Sequence, residues 1–540
     1  MARKGTTNRR GSPPNPPAKA PETLGVGRRE LIMVSEADAQ LRVSPSGMRS
    51  LGTVVTGLSR LLASPDIRIQ PLFGPTEDRV RSLVAELPDA EGLANLETYY
   101  HVDAPSERLD ELAESLMKLD EVAAAYVKPA GEPPEINDMA PAADEAPSTT
   151  PDFSARQIYL NAAPAGIDAR YAWRFRGGRG AGTRIIDCEW GWRFGHEDLG
   201  SNQGGIVIGT NHTDTNHGTA VLGEFSGDVN SFGIVGICSD AIASAASFLT
   251  LPTATVIRQA ADRLRAGDVM LLEIHRPGPG ANGSGQDGFI AIEWWPDDLA
   301  AIRYAVSRGI LVVEAAGNGF RNLDDPIYNT PSTGFPATWK NPFKLTNPQS
   351  GAIVVGAGAP PPGTHGRDHG PDRSRLDFSN HGQRVDTQGW GREVTTTGYG
   401  ELQGGSNSDL WYTDTFSGTS SASPIVVGAL GCIQGMLRAN NRPLLTPLTA
   451  KQVLRATGSP QQDAPGRPRT QRIGNRPNIK QMVGHLFGVT PESDGGLLDS
   501  TLSTVGGPVE INLSGKITIN VRSSDVTVNV LGESTKSPQG

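Results

Sequence analysis

Hydrophobic spacing divides the 540-residue chain into stretches of different period. The run "RELIMVS" (29–35) has the length of a strand. In "TEDRVRSLVAEL" (76–87), Val80, Leu83, Val84 and Leu87 recur at the interval of one helix face. Across 96–129 an alternating segment leads into a helix with Leu109, Leu112, Leu116 and Leu119 on one side, and a second apolar segment (122–127) follows. That β-α-β order predicts a small α+β domain over 29–128. Farther on, "TRIID" (183–187), "DVMLLEI" (268–274), "GILVVEAAG" (309–317) and "GAIVVGAG" (351–358) are almost continuously apolar, as strands of a parallel sheet covered on both faces must be. "DDLAAIRYAVSRG" (297–309) has acids at its start, Leu299, Ile302 and Val306 on one face, and Gly309 as a stop, which predicts a helix. Residues 156–490 therefore read as an α/β domain with a doubly wound, mostly parallel sheet. From 509 to 530 apolar residues alternate strictly between Ser, Gly and Asp turns, predicting a three-stranded β appendage (508–531) before a short tail (532–540).

Composition refines the boundaries. Residues 1–28 are basic and Pro-rich with too few apolar side chains to pay for ordering, and predict a disordered tail. Residues 129–155 form a linker: six Pro and six acids with no Lys or Arg between 129 and 152 favour an extended, self-repelling segment. A net charge of −9 argues against a nucleic-acid partner. Cys188, Cys238 and Cys432 match neither a disulfide framework nor metal-ligand spacing, so they read as free or buried thiols. No run of about 18 apolar residues and no apolar core in the first residues is found, so no membrane span and no Sec-type address are expected; this favours the cytoplasm and leaves non-Sec export open. The sequence does not specify an oligomeric state.

The stretch "DTFSGTSSASPIVVGALG" (414–431) sets five hydroxyls between Phe416 and Pro424, ahead of a run of small and apolar residues that reads as a helix. A hydroxyl attacks a carbonyl only when a base takes its proton and a third group orients that base. Candidates are Asp187 at the end of a buried strand, His217 opening "NHGTAVLGEFSG", and Ser420. Gly418-Thr419-Ser420-Ser421-Ala422-Ser423-Pro424 meets the pattern G-T-S-x-A-x-P, and His217-Gly218-Thr219-Ala220-Val221-Leu222-Gly223 meets H-G-T-x-V-x-G. On these motifs the chain resembles the subtilisin-like serine proteases, or subtilases. The likeness extends through "EAAGNG" (314–319), "DFSNHG" (377–382) and "LTAKQVLRATG" (448–458), from roughly 160 to 485.

The resemblance implies a subtilisin-like fold and a serine endopeptidase that works on protein or peptide through an acyl-enzyme. Its triad would be Asp187, His217 and Ser420, with Asn318 and the Ser420 N–H binding the oxyanion. It implies no required cofactor; structural calcium is common in the family, but no metal ligand set is assignable here. Ser417, Ser421 and Ser423 are expected to be structural, Pro424 to sit in the first turn of its helix, and His196 and His212 to be surface residues. The N-terminal domain stands where subtilases carry an inhibitory propeptide, so self-cleavage is expected between about 128 and 160, at "EINDMA" (135–140) or "PDFSARQIYL" (151–160). A permanent regulatory domain, an inactive protease-fold binding protein and a partner-activated intracellular effector are the alternatives. Two departures from the family stand out. Asp187 is followed by Cys188-Glu189-Trp190 in place of Thr or Ser and Gly. The substrate strand, usually S-L-G-G, is replaced by "LLEIHRPGPG", so Glu273, His275 and Arg276 are expected to contact substrate.

Overall fold

The computed structural model describes residues 27–488, apart from 45–46, 51–55, 62, 86–92, 94 and 137–139. The expected N-terminal tail lies almost wholly outside the described residues, and the expected C-terminal appendage entirely so.

The N-terminal unit is built from β1 (Glu30–Ser35), β2 (Arg68–Pro71), α1 (Glu77–Ala85), β3 (Tyr99–Asp103), α2 (Leu109–Leu116) and β4 (Val122–Lys128). Its antiparallel sheet has the order β2-β3-β1-β4. Alternation along β1 explains why "LIMV" is apolar throughout: successive side chains point to opposite faces. Leu31 and Met33 pack with Leu109, Leu112 and Leu116 of α2. Ile32 and Val34, with Ala124 and Tyr126, join a second core that contains Trp294, Ile257 and Phe335 of the larger domain. The sheet is thus buried on both faces, once against its own helix and once against its neighbour.

The larger domain carries β5 (Arg184–Glu189), β6 (Gln203–Ile208), α3 (Asn216–Ser226), β7 (Ile242–Ser247), α4 (Thr253–Arg263), β8 (Val269–Leu272), β9 (His275–Pro277), β10 (Phe289–Ala291), α5 (Pro296–Ser307), β11 (Leu311–Ala315), β12 (Ile353–Gly358), β13 (Thr387–Trp390), β14 (Val394–Thr397), β15 (Tyr412–Phe416) and α6 (Thr419–Ala439). Seven of these strands form a parallel sheet in the order β13-β12-β11-β8-β5-β7-β6, as the continuous apolar runs require. Helix α6 is long and apolar enough to cross a membrane by composition, but it is buried in the core. Its Gly428 and Gly431 admit Ile237 and Cys238 where a Cβ would clash. Pro424 is its sixth residue, a turn later than expected, and cannot donate to the Ser420 carbonyl. All three cysteines are free and buried, as expected.

A buried ion cluster joins the two units. Lys128 Nζ lies 2.6 Å from Asp297, 2.8 Å from Asp298 and 3.2 Å from Glu30. Arg276 lies 2.8 Å from Glu30 and bonds the Pro129 carbonyl. Glu30 also caps α4, accepting from the Thr253 N–H and hydroxyl. Burial alone would raise the Glu30 pKa, but Lys128 and Arg276 outweigh it and hold the carboxyl well below its usual range. Burial raises Asp298 to about 7. Breaking a buried pair leaves uncompensated charge. In a Ser420→Ala background, Lys128→Met is therefore expected to lower unfolding stability by about 3–5 kcal/mol in urea titrations. An unchanged midpoint would show that the cluster does not hold the units together.

Candidate active site

Open α/β sheets gather ligands at the carboxyl ends of their strands, and the candidate residues converge there. Ser420 is the second residue of α6 and His217 the second of α3; both are buried. Gly218 lets the Trp192 ring lie against α3, since a Cβ there would stand 2.6 Å from the indole. The His217 ring meets Phe416 edge-on, and its Nε2 has no hydrogen-bond partner.

The carboxylate at His217 is not the one expected. Nδ1 lies 2.8 Å from Oε2 of Glu189, the last residue of β5. Asp187 instead accepts from Trp192 Nε1 at 2.7 Å. The two acids are two residues apart on one strand and so share a face, with Glu189 nearer the carboxyl end and one methylene longer. Asp187 Oδ1 and Glu189 Oε1 are both buried without any other donor. Burial, and then the Glu189 charge, push the Asp187 pKa far up, while burial raises Glu189 and the Asp187 hydrogen bond pulls it back. Glu189 is the carboxylate that meets His217, whose own pKa is lowered by burial.

Asn318 follows β11. Its Oδ1 accepts from the Thr419 N–H and hydroxyl, both at 2.9 Å, which fixes the amide and leaves Nδ2 facing Gln286 Oε1 at 3.0 Å. Of the three residues expected on the substrate strand, only His275 lies along the cleft. Arg276 belongs to the ion cluster described above, because its guanidinium is needed to balance Glu30. Glu273 is buried behind the site beside Asp187 and Glu189, where burial raises its pKa well above the usual carboxyl range. His196 is also buried, with Nε2 2.8 Å from the Trp411 carbonyl, and is not a surface residue. His212 bonds only the local Asp214 backbone. Ser421 and Ser423 bond backbone carbonyls within or beside α6, as structural residues do, whereas the Ser417 hydroxyl donates to Ile136 O at 3.2 Å.

The acidic linker fills the cleft. Glu132 and His275 exchange two backbone hydrogen bonds of 3.1 Å, an antiparallel pair. Glu135 pairs with Gly418 in the same sense, and the Tyr399 hydroxyl donates to its carboxylate. Between these pairs the Pro134 carbonyl oxygen accepts from Ser420 Oγ at 2.9 Å and from the Ser420 N–H at 3.3 Å. Gly418, at φ +113°, is required here, because a Cβ would stand 2.2 Å from that oxygen. Residues 151–160 lie elsewhere: Asp152 pairs with Gly233, and Tyr159 and Leu160 are core. Among the described residues, no group of three or more His, Cys, Asp or Glu is arranged to hold a metal ion. Glu189, Gln286 and Tyr399 were not anticipated as site residues, although Glu189 carried a sequence signal in its i+2 relation to Asp187.

A family model described as the subtilase family matches residues 207–485. An intracellular serine protease of Paenibacillus polymyxa is 26% identical over 334 residues, which cover 55% of this chain and 81% of the relative. Among solved structures, the epidermin leader peptide processing serine protease of Staphylococcus aureus aligns with TM-score 0.48 and 15% identity, over 84% of this chain and 97% of its own. Fervidolysin of Fervidobacterium pennivorans aligns with TM-score 0.47 and 16% identity, over 85% of this chain and 61% of its own.

Proposed function

The chain belongs to the subtilase family of serine proteases, and from that premise we propose that Ser420, His217 and Glu189 are its triad, and that the linker is the first peptide to occupy its cleft. The observation that carries this reading is the Pro134 carbonyl oxygen, 2.9 Å from the nucleophile and 3.3 Å from the N–H that would stabilise an oxyanion.

Ser420 Oγ attacks the carbonyl carbon while His217 Nε2 takes its proton. The imidazolium that forms is stabilised by Glu189 at Nδ1, and a proton held on Asp187 and shared with Glu189 keeps Glu189 aligned. The developing oxyanion accepts from the Ser420 N–H and from Asn318 Nδ2, whose amide is held by Thr419. Collapse of the tetrahedral intermediate passes the proton from His217 to the leaving amine and gives the acyl-enzyme, which water then hydrolyses by the same steps in reverse order. Burial keeps His217 neutral and ready to accept a proton. The resting site stops short of attack: the Ser420 hydroxyl donates to Pro134 O, and His217 Nε2 is unpartnered. A turn of the hydroxyl onto His217 starts the reaction, so the linker acts first as a plug and then as substrate. The ion cluster at Lys128 lies before the cut and holds the N-terminal unit on the enzyme afterwards.

The two carboxylates are separated by their substitutions. Glu189→Gln is expected to lower kcat on a peptide substrate by about 10⁴, the usual cost of losing the group that orients the base. Asp187→Asn keeps an acceptor for Trp192 and a donor for Glu189, and is expected to cost less than about tenfold. The opposite ranking would return the triad role to Asp187. The linker reading is tested by intact mass: the active chain is expected to be cut between Pro134 and Glu135, and Ser420→Ala to stay whole. Cleavage at any other bond, or in Ser420→Ala, would contradict it.

A further inference from the structure

Gln286 lies in the glycine-rich loop between β9 and β10. The loop is held down by the Arg321–Asp287 pair at 2.7 Å, by Arg321 to the Gly280 carbonyl at 3.0 Å, and by Gly288 N–H to the Gly319 carbonyl at 3.0 Å. The Gln286 side chain has one consistent orientation. Its Oε1 accepts from Asn318 Nδ2, so its Nε2 faces two groups that only accept: Glu132 Oε1 at 2.8 Å and Pro133 O at 3.0 Å.

A second donor points to the same carboxylate. The Asn318 N–H donates to His275 Nδ1 at 3.3 Å, which places the His275 proton on Nε2. Burial, with a smaller contribution from His217, lowers the His275 pKa to about 3, so the ring is neutral. Its Nε2–H is fully buried, has no hydrogen-bond partner, and lies 3.9 Å from Glu132 Oε1. Backbone pairing between Glu132 and His275 fixes the register, so the residue that bonds Gln286 and faces His275 Nε2 is always the third on the acyl side of the bond at Ser420.

We propose that Gln286, with His275, forms a specificity site for an acidic side chain at the third substrate residue before the cleaved bond. The site selects peptides with Glu at that position. Gln286 also connects this recognition to the oxyanion donor, since the amide that binds the substrate's acid and the following carbonyl holds Asn318 Nδ2 with its other end. The inference rests on the assignment of Ser420 as nucleophile and of 132–136 as a substrate-like segment.

The test uses peptides that differ only at the third residue, Glu against Ala and Lys, with the full-length enzyme and two variants. Stoichiometric labelling of Ser420 by a fluorophosphonate first establishes the nucleophile, so that failure of that assignment is seen separately from failure of the subsite. The wild type is expected to cut the Glu peptide about ten- to a hundredfold faster in kcat/KM than the Lys peptide, the range for a hydrogen bond to a charged group. Gln286→Ala is expected to reduce that ratio to under about threefold. Gln286→Glu places a carboxylate against the substrate acid and is expected to invert the preference toward Lys, an outcome that a merely structural loop residue would not produce. Equal rates for Glu and Lys in the labelled wild type, or a preference untouched in both variants, would overturn the proposal.

Discussion

The ammonium of Lys128, buried among Asp297, Asp298 and Glu30, is the constraint on which the rest of the molecule depends. It is the last residue of β4 and the point where the N-terminal unit passes into the linker. Two cations and three carboxyl groups brought out of water must find each other at good geometry or the unit does not dock. Once it docks, the chain leaves the cluster at Pro129, whose carbonyl is held by Arg276, and has only a few residues before it meets His275 and then Ser420. Entry of the linker into the cleft is therefore not a matter of chance encounter. The tether sets a high effective concentration, and the backbone pairs at Glu132 and Glu135 set the register.

The same geometry accounts for the unusual substrate strand. A run of small residues would let any peptide lie close; here Arg276 is committed to the interdomain cluster and Glu273 to the interior, which leaves His275 as the residue of this segment that pairs with the linker. The buried acids near His217 follow a related logic. Asp187, Glu189, Glu273 and Glu224 are all buried, and burial raises the pKa of each. Such a site tolerates one charge next to His217 more readily than several.

Much of this was legible in the sequence, for identifiable reasons. Strands buried on both faces lose the alternating pattern, so β5, β8, β11 and β12 stood out as apolar runs, and the α2 leucines marked one face of a helix. Ser420, His217 and Asn318 stood out as candidates because each sits in a short fixed motif at an element's end. Glu189 was passed over because strand position alone does not decide between residues i and i+2 on the same face; only the path of the His217 ring does. His196 looked exposed because its burial comes from residues far along the chain, the Trp411 carbonyl and the Tyr412 ring. Gln286 sits in a loop of Gly, Asn and Ser without periodicity, and nothing local distinguishes it from a solvent-facing amide. The linker's Pro-rich, acidic composition read as extended, yet its pairing partners, His275 of β9 and Gly418 before α6, lie far along the chain.

Occupancy of the cleft by the linker is the claim most open to direct measurement. The rate at which a fluorophosphonate labels Ser420 is to be followed by intact mass in a Glu189→Gln background, which slows self-cleavage enough to keep the chain uncut, with and without residues 132–136 replaced by Gly and Ser. If Pro134 covers the nucleophile, the variant labels faster by about tenfold or more, because the competing tethered segment is gone. Equal labelling rates would mean that the cleft is open in the intact chain, and would contradict the account.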